Sequence, residues 1–226
     1  MMRYGYLHSA RVHNRSGQTR LNAMTLQPTP ERLPRGCTFK RLSRWLATLL
    51  LAAGTLPALA AVPDTERQVL IDLYNGTNGS SWTTKTNWLT GDPCANAWHG
   101  IGCDATGTHV RWVRLDDNNL VGTLPASLTA LTDLIYVNVA KNQLVGSIPS
   151  LSGMAALREF YAHQNQLTGS IPSLSGLPKL SVFVVSENQL TGSIPSLSGL
   201  PALGWFGAET NQLTGSIPDL KGLTGL

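Results

Sequence analysis

One fourteen-residue phrase constrains this chain more than any other feature. NQLTGSIPSLSGLP occurs word for word at residues 165–178 and again at 188–201. Looser copies read NNLVGTLP at 118–125, NQLVGSIP at 142–149 and NQLTGSIP at 211–218. The leading asparagines are Asn118, Asn142, Asn165, Asn188 and Asn211, at steps of 24, 23, 23 and 23 residues. A fixed period of this size means stacked coils. Each coil is one supersecondary unit that cannot bury a core alone.

The segments before the asparagines align as VRWVRLDDN, LIYVNVAKN, LREFYAHQN, LSVFVVSEN and LGWFGAETN. All fit LxxLxLxxN with aliphatic or aromatic substitutions. The middle of each is a short strand whose side chains alternate between two faces. Val113 and Leu115, Val137 and Val139, Phe160 and Ala162, Phe183 and Val185, and Phe206 and Ala208 are expected to point inward. The asparagine marks a turn, and its amide has donors and an acceptor for backbone groups the turn would orphan. A leucine, a glycine and an Ile-Pro or Leu-Pro pair follow. The glycine suits unusual dihedrals and the proline fixes the exit. Apolar residues three apart on the far side, as in Leu128 and Leu131, predict a short helical turn on the convex side.

The pattern LxxLxLxxNxLxGxIP resembles leucine-rich repeats of the plant-type extracellular subclass, from about residue 110 to 226. The resemblance implies an α/β solenoid with a concave parallel sheet and convex 3-10 or irregular turns. It also implies a class of receptor-like proteins, receptor-like kinases and polygalacturonase inhibitors, with exported bacterial members.

Residues 1–36 are basic and aperiodic, and read as an extended leader or an early start, with Met24 an alternative first residue. Residues 37–60 read as a signal peptide. Lys40, Arg41 and Arg44 precede the apolar run 45–56, and Ala58-Leu59-Ala60 is a cleavage site. The run is short, and is interrupted by Gly54 and Pro57, which disfavours an uncleaved membrane anchor. The whole chain has 17 basic and 13 acidic residues; nine of the basic and one of the acidic lie before residue 61. The mature chain thus carries 8 and 12, a net charge of −4. It offers no electrostatic case for nucleic acid. Secretion to the exterior or the cell surface is expected, or to the periplasm for a bacterial source.

Residues 61–109 read as an N-terminal cap. Asp64 is placed as the N-cap of a helix through Val69, Leu70, Leu73 and Tyr74, ending at Asn75-Gly76. The order of acidic helix, tryptophans, DPC and WxGIxC resembles the cap of the same plant-type family. Only Cys94 and Cys103 survive signal cleavage, and an even pair in an exported chain predicts a disulfide. A metal site of Cys94, His99 and Cys103 would lack a fourth ligand. Asn75-Gly-Thr77 and Asn78-Gly-Ser80 are glycosylation sequons, used only in a eukaryotic secretory pathway. At the other end Leu226 stands where a sixth strand segment would begin, so the array is expected to lack a C-terminal cap.

No catalytic constellation emerges. His99, His109 and His163 lack a nucleophile motif, and the glycines sit in repeat turns, not in a phosphate-binding loop. No cofactor or metal is expected. The informative positions are the outward strand residues, which vary while the scaffold repeats. The ladders Trp112, Tyr136, Glu159, Val182, Trp205 and Arg114, Asn138, Tyr161, Val184, Gly207 should run across the coils. Candidate ligand-binding residues are Trp112, Arg114, Asp116, Tyr136, Asn138, Glu159, Tyr161, His163 and Trp205, since exposed aromatics are enriched in binding hot spots. The expected activity is non-enzymatic recognition of an extracellular protein or polysaccharide. The alternative is part of a membrane-bound receptor's ectodomain.

Overall fold

The structure, a computed structural model, describes residues 61–223 and 225. The leader and signal-peptide readings, at residues 1–60, lie outside the described residues. In chain order the elements are α1 (Asp64–Gly76), β1 (Ile101–Cys103), β2 (Val110–Arg114), β3 (Val121–Gly122), β4 (Tyr136–Asn138), β5 (Gln143–Leu144), β6 (Glu159–Tyr161), β7 (Val182–Val184) and β8 (Trp205–Gly207). One six-stranded sheet has the order β1-β2-β4-β6-β7-β8. Its last five strands are parallel, and β1 joins β2 antiparallel.

Each repeat contributes one strand because its alternation matches the pleat. Val113, Leu115, Val137, Val139, Phe160, Ala162, Phe183 and Val185 are buried as the pattern requires. Phe206 on β8 and Ala208 just after it are only half-buried. Phe160, Phe183 and Phe206 stack through the core at centroid separations of 5.4 and 5.6 Å. The repeat leucines fill the space between, and Leu120, Leu144, Leu167 and Leu190 are completely buried. Each such side chain contributes about 1.5–3 kcal/mol of burial.

The asparagines lock one coil to the next. Asn188 Oδ1 accepts the N–H of Leu167 in the previous coil at 2.9 Å. Its Nδ2 donates to the carbonyls of Ala162, Val185 and Ser186 at 2.9–3.1 Å. Asn142, Asn165 and Asn211 bond in the same way. Asn118 instead grips the preceding loop, through the N–H and carbonyl of Thr84. The residue before each asparagine is left-handed although none is glycine, with φ of 50–55° at Asp117, Lys141, Gln164, Glu187 and Thr210. Such backbone is strained. The N–H groups of the first four each bond the next coil, as in Gln164 to Ser186 O at 3.1 Å.

One detail differs from the sequence reading, and one is added to it. The N-cap of α1 is Pro63, with no side-chain cap; Asp64 is the first helical residue. There its charge faces the helix dipole favourably. The convex side is as expected: among the described residues it holds a 3-10 helix at Ala126–Ala130, and the later, shorter coils make isolated turns. A second parallel ladder pairs β3 with β5 and continues as single bridges at Ser147–Thr168 and Ser170–Thr191. It follows from stacking: once the first ladder sets the register, the turn after each asparagine meets its copy.

Ahead of the first coil, α1 buries Val69, Leu70 and Leu73 in the same cluster as Trp82, Trp88 and Trp98. The three indole rings form a chain with centroids 4.8 and 5.0 Å apart. Every indole N–H is capped by a carbonyl: Thr77 for Trp82, His99 for Trp88, and Thr90 for Trp98. This removes the cost of burying an unpaired donor. Cys94 and Cys103 form a disulfide that ties this loop to β1. Among the described residues no cluster of three or more metal-ligating side chains exists.

Candidate functional site

Strand register decides which outward side chains meet. Trp112 is level with Tyr136, Tyr136 with Glu159, Glu159 with Val182, and Val182 with Trp205. Arg114, Asn138, Tyr161, Val184 and Gly207 form the adjacent row. Parallel pairing at about 4.8 Å places each row's side chains within reach of one another.

Trp112 begins the surface. Its indole lies on the backbone of β1, where a Cβ added at Gly102 would come within 2.7 Å of Cε3. Glycine at 102 is therefore what lets the ring lie flat. A concavity of about 340 Å³ opens there between Gly100, Gly102, Trp112 and Arg114. The Arg114 guanidinium stands 4.9 Å over the Tyr136 ring, a cation–π arrangement. Tyr136 and Tyr161 lie 5.6 Å apart with tilted planes.

The polar atoms are largely committed. Tyr161 donates its hydroxyl to Glu159 Oε2 at 2.8 Å. Desolvation first, and then that carboxylate, push the Tyr161 phenol up to about 12, so it is a donor at any physiological pH. Asn138 accepts the Ala140 N–H and donates weakly to the Tyr136 oxygen at 3.4 Å. His163 packs edge-on to Tyr161 at 6.4 Å, and its Nδ1 is buried with no partner among the described residues. A buried ring nitrogen left without a partner beside Tyr161 carries a desolvation cost.

Seven candidates thus come together: Trp112, Arg114, Tyr136, Asn138, Glu159, Tyr161 and His163. Asp116 is exposed past the end of β2. Trp205 is 62% exposed on β8, separated from the tyrosines by the Val182 and Val184 floor of β7. The position two before each asparagine is not uniformly outward, since Ala140 and Ser186 are buried where the chain has begun to turn. Sequence reasoning missed Arg111 and Arg158, whose signal was the column immediately before the Trp112 row, and Lys179, three residues before Val182, which had no such signal.

No family profile matches the chain. Receptor-like kinase TMK2 of Arabidopsis thaliana is 39% identical over 77 residues, which are 34% of this chain and 8% of that protein. The chain therefore spans only a small part of the length of this curated relative. Among solved structures, a chain of the Arabidopsis thaliana BIR3–SERK2 complex is 31% identical with a TM-score of 0.57, over 66% of this chain and 84% of that one. The Arabidopsis receptor kinase HAESA ectodomain, in complex with a peptide hormone ligand, is 30% identical with a TM-score of 0.59, over 72% and 28%. The chain belongs to the plant-type extracellular leucine-rich-repeat family.

Proposed function

We propose that this chain is an exported, non-enzymatic recognition module that binds an extracellular ligand across the face formed by β2, β4 and β6. One observation carries the reading. The coils are nearly identical in their scaffold, yet this face concentrates Trp112, Arg114, Tyr136, Tyr161 and Glu159 in one contiguous lattice. Aromatic and arginine side chains are the residue types that dominate interface energies. A peptide partner is supported by the neighbour solved with a hormone ligand, and a protein partner by the neighbour solved in a complex. Export is supported by the leader at 37–60, and no helix among the described residues is long and apolar enough to cross a membrane.

The test is a panel of displayed random peptides and cell-wall oligosaccharides passed over the immobilised full chain. The variant Trp112→Ala/Tyr136→Ala, with unchanged circular dichroism, is expected to lose every retained probe. Probes held equally well by that variant would sink the concave-face reading.

A second reading has its own support, because the relatives are receptor kinases and receptor-like proteins. In it this chain is part of a receptor ectodomain. Intact mass of the natural protein, taken from medium and from membranes, separates the two. A species in the medium matching residues 61–226 supports the secreted module, and a heavier membrane-held species supports the receptor.

A further inference from the structure

The N-terminal ends of the strands form a second concavity, of about 410 Å³. It is lined by Arg111, Arg158, Lys179, Ile135, Asp104 and the same Trp112 that begins the aromatic lattice. The mature chain is acidic overall, with 8 basic and 12 acidic residues after position 60, and still places three of those eight around one hollow.

The cations are largely unspent. Arg111 reaches Asp133, with Nη1 at 3.5 Å from Oδ1. Arg158 and Lys179 are exposed, and among the described residues neither has a carboxylate within 4.0 Å. Asp104 lines the same hollow as an anion, its oxygens accepting from the hydroxyls of Thr106 and Thr108 and the N–H groups of Thr108 and His109, and the three cations outnumber it. Those bonds hold its carboxyl well below the usual carboxylate range.

The opposite ends of the strands carry the other sign. Asp116, Asp117, Glu187 and Glu209 are all exposed there. Between the two rims lies the aromatic and apolar band, with the Glu159 carboxylate in its middle row. Along the strand direction the face thus runs from the cationic hollow through the apolar band to a mostly anionic end, where Lys141 is also exposed.

We infer that the Arg111–Arg158–Lys179 hollow is the subsite for an acidic group of an extended peptide, whose apolar side chains lie on the Tyr136, Tyr161 and Val182 band. The inference rests on the concave-face reading above and adds the ligand's chemistry and direction. A polyuronate is the competing occupant. It matches the cationic rim, but a uniform polyanion on the aromatic band must set a carboxylate against Glu159. Like charges in such juxtaposition oppose binding. A peptide can place an acid at the hollow and apolar or basic groups elsewhere.

The experiment passes displayed random dodecapeptides and defined oligogalacturonates over the full chain and two variants, Arg158→Glu/Lys179→Glu and Glu187→Lys/Glu209→Lys. All four positions are exposed, so folding is checked by circular dichroism alone. On the wild type, retained peptides should share an aspartate or glutamate at one position. The first variant should weaken them by about tenfold or more and shift that position to lysine or arginine. The second variant should leave the acidic position in place. Peptides that depend on Trp112 and Tyr136 but show no acidic position, or ignore the charge reversal, overturn the subsite and leave the concave-face reading standing. Oligogalacturonates retained through Arg158 and Lys179, with no peptide retained, overturn the peptide occupant. A panel indifferent to Trp112→Ala/Tyr136→Ala overturns both.

Discussion

The carboxylate of Glu66, on α1, accepts a hydrogen bond from His109 Nδ1 at 2.7 Å and, through its other oxygen, the N–H of Val110 at 2.9 Å. Glu66 is only 5% exposed. The two bonds join the helix to His109 and to Val110, the first residue of the first parallel strand, across 43 and 44 positions of sequence.

This pair makes the attachment of the helix pH-dependent. The hydrogen bond to Glu66 holds the His109 pKa above its ordinary 6.5. A raised folded pKa means the contribution is fully present below the unfolded value and is lost as pH rises through the folded one. The unfolding midpoint is therefore expected to fall between pH 6 and 8 (about the histidine range) in the wild type. In His109→Gln that fall should be much reduced. An identical profile in both proteins would remove the pair from the pH response.

Asn188→Ala should be among the most damaging polar substitutions. It orphans the Leu167 N–H and withdraws a donor from three carbonyls inside the stack. The expected loss is about 1–3 kcal/mol in urea unfolding. The neighbouring Gln189→Ala, at an exposed position, should fall within about 0.5 kcal/mol of wild type. Equal effects at the two positions would refute the ladder as a stabilising device.

Replacing Cys94 and Cys103 with serine removes a cross-link between residues 9 apart. A loop this short limits the effect to about 2–3 kcal/mol. A lower melting temperature with an unchanged far-ultraviolet spectrum is the expected result. Complete unfolding at room temperature would show that the loop is held mainly by the disulfide, not by the tryptophan cluster.

Gly102→Ala tests how Trp112 is seated. The new methyl would sit 2.7 Å from the indole, so the ring must tilt outward. Overpacking of this kind costs about 1–3 kcal/mol. Acrylamide quenching of tryptophan emission should rise in Gly102→Ala, and should not rise when the same change is made in Trp112→Phe. No difference between the two backgrounds would mean the indole does not rest on β1.

Much of this protein was legible without coordinates. Period fixed the coils, alternation separated Phe160 and Phe183 from Glu159 and Val182, and equal spacing to the asparagine set the register that joins Trp112 to Tyr136. These are properties of a repeat, where one coil predicts the next and local pattern suffices. The cap yielded less. Its helix and disulfide were readable, but the burial of Glu66 and the capping of α1 by Pro63 were not.

What only the tertiary structure decided are relations between segments that share no local period. Glu66 meets His109 because α1 packs beside the first coil. Arg158 and Lys179 border one hollow with Trp112 and with Asp104 of the non-repeating segment. The small Ala140 and Ser186 are buried at the position where Asp116 and Glu209 are exposed, although the same left-handed residue follows in every coil. Periodicity specifies how a chain repeats. Where a non-repeating segment touches the stack, and which charges are left unpaired there, depends on through-space packing.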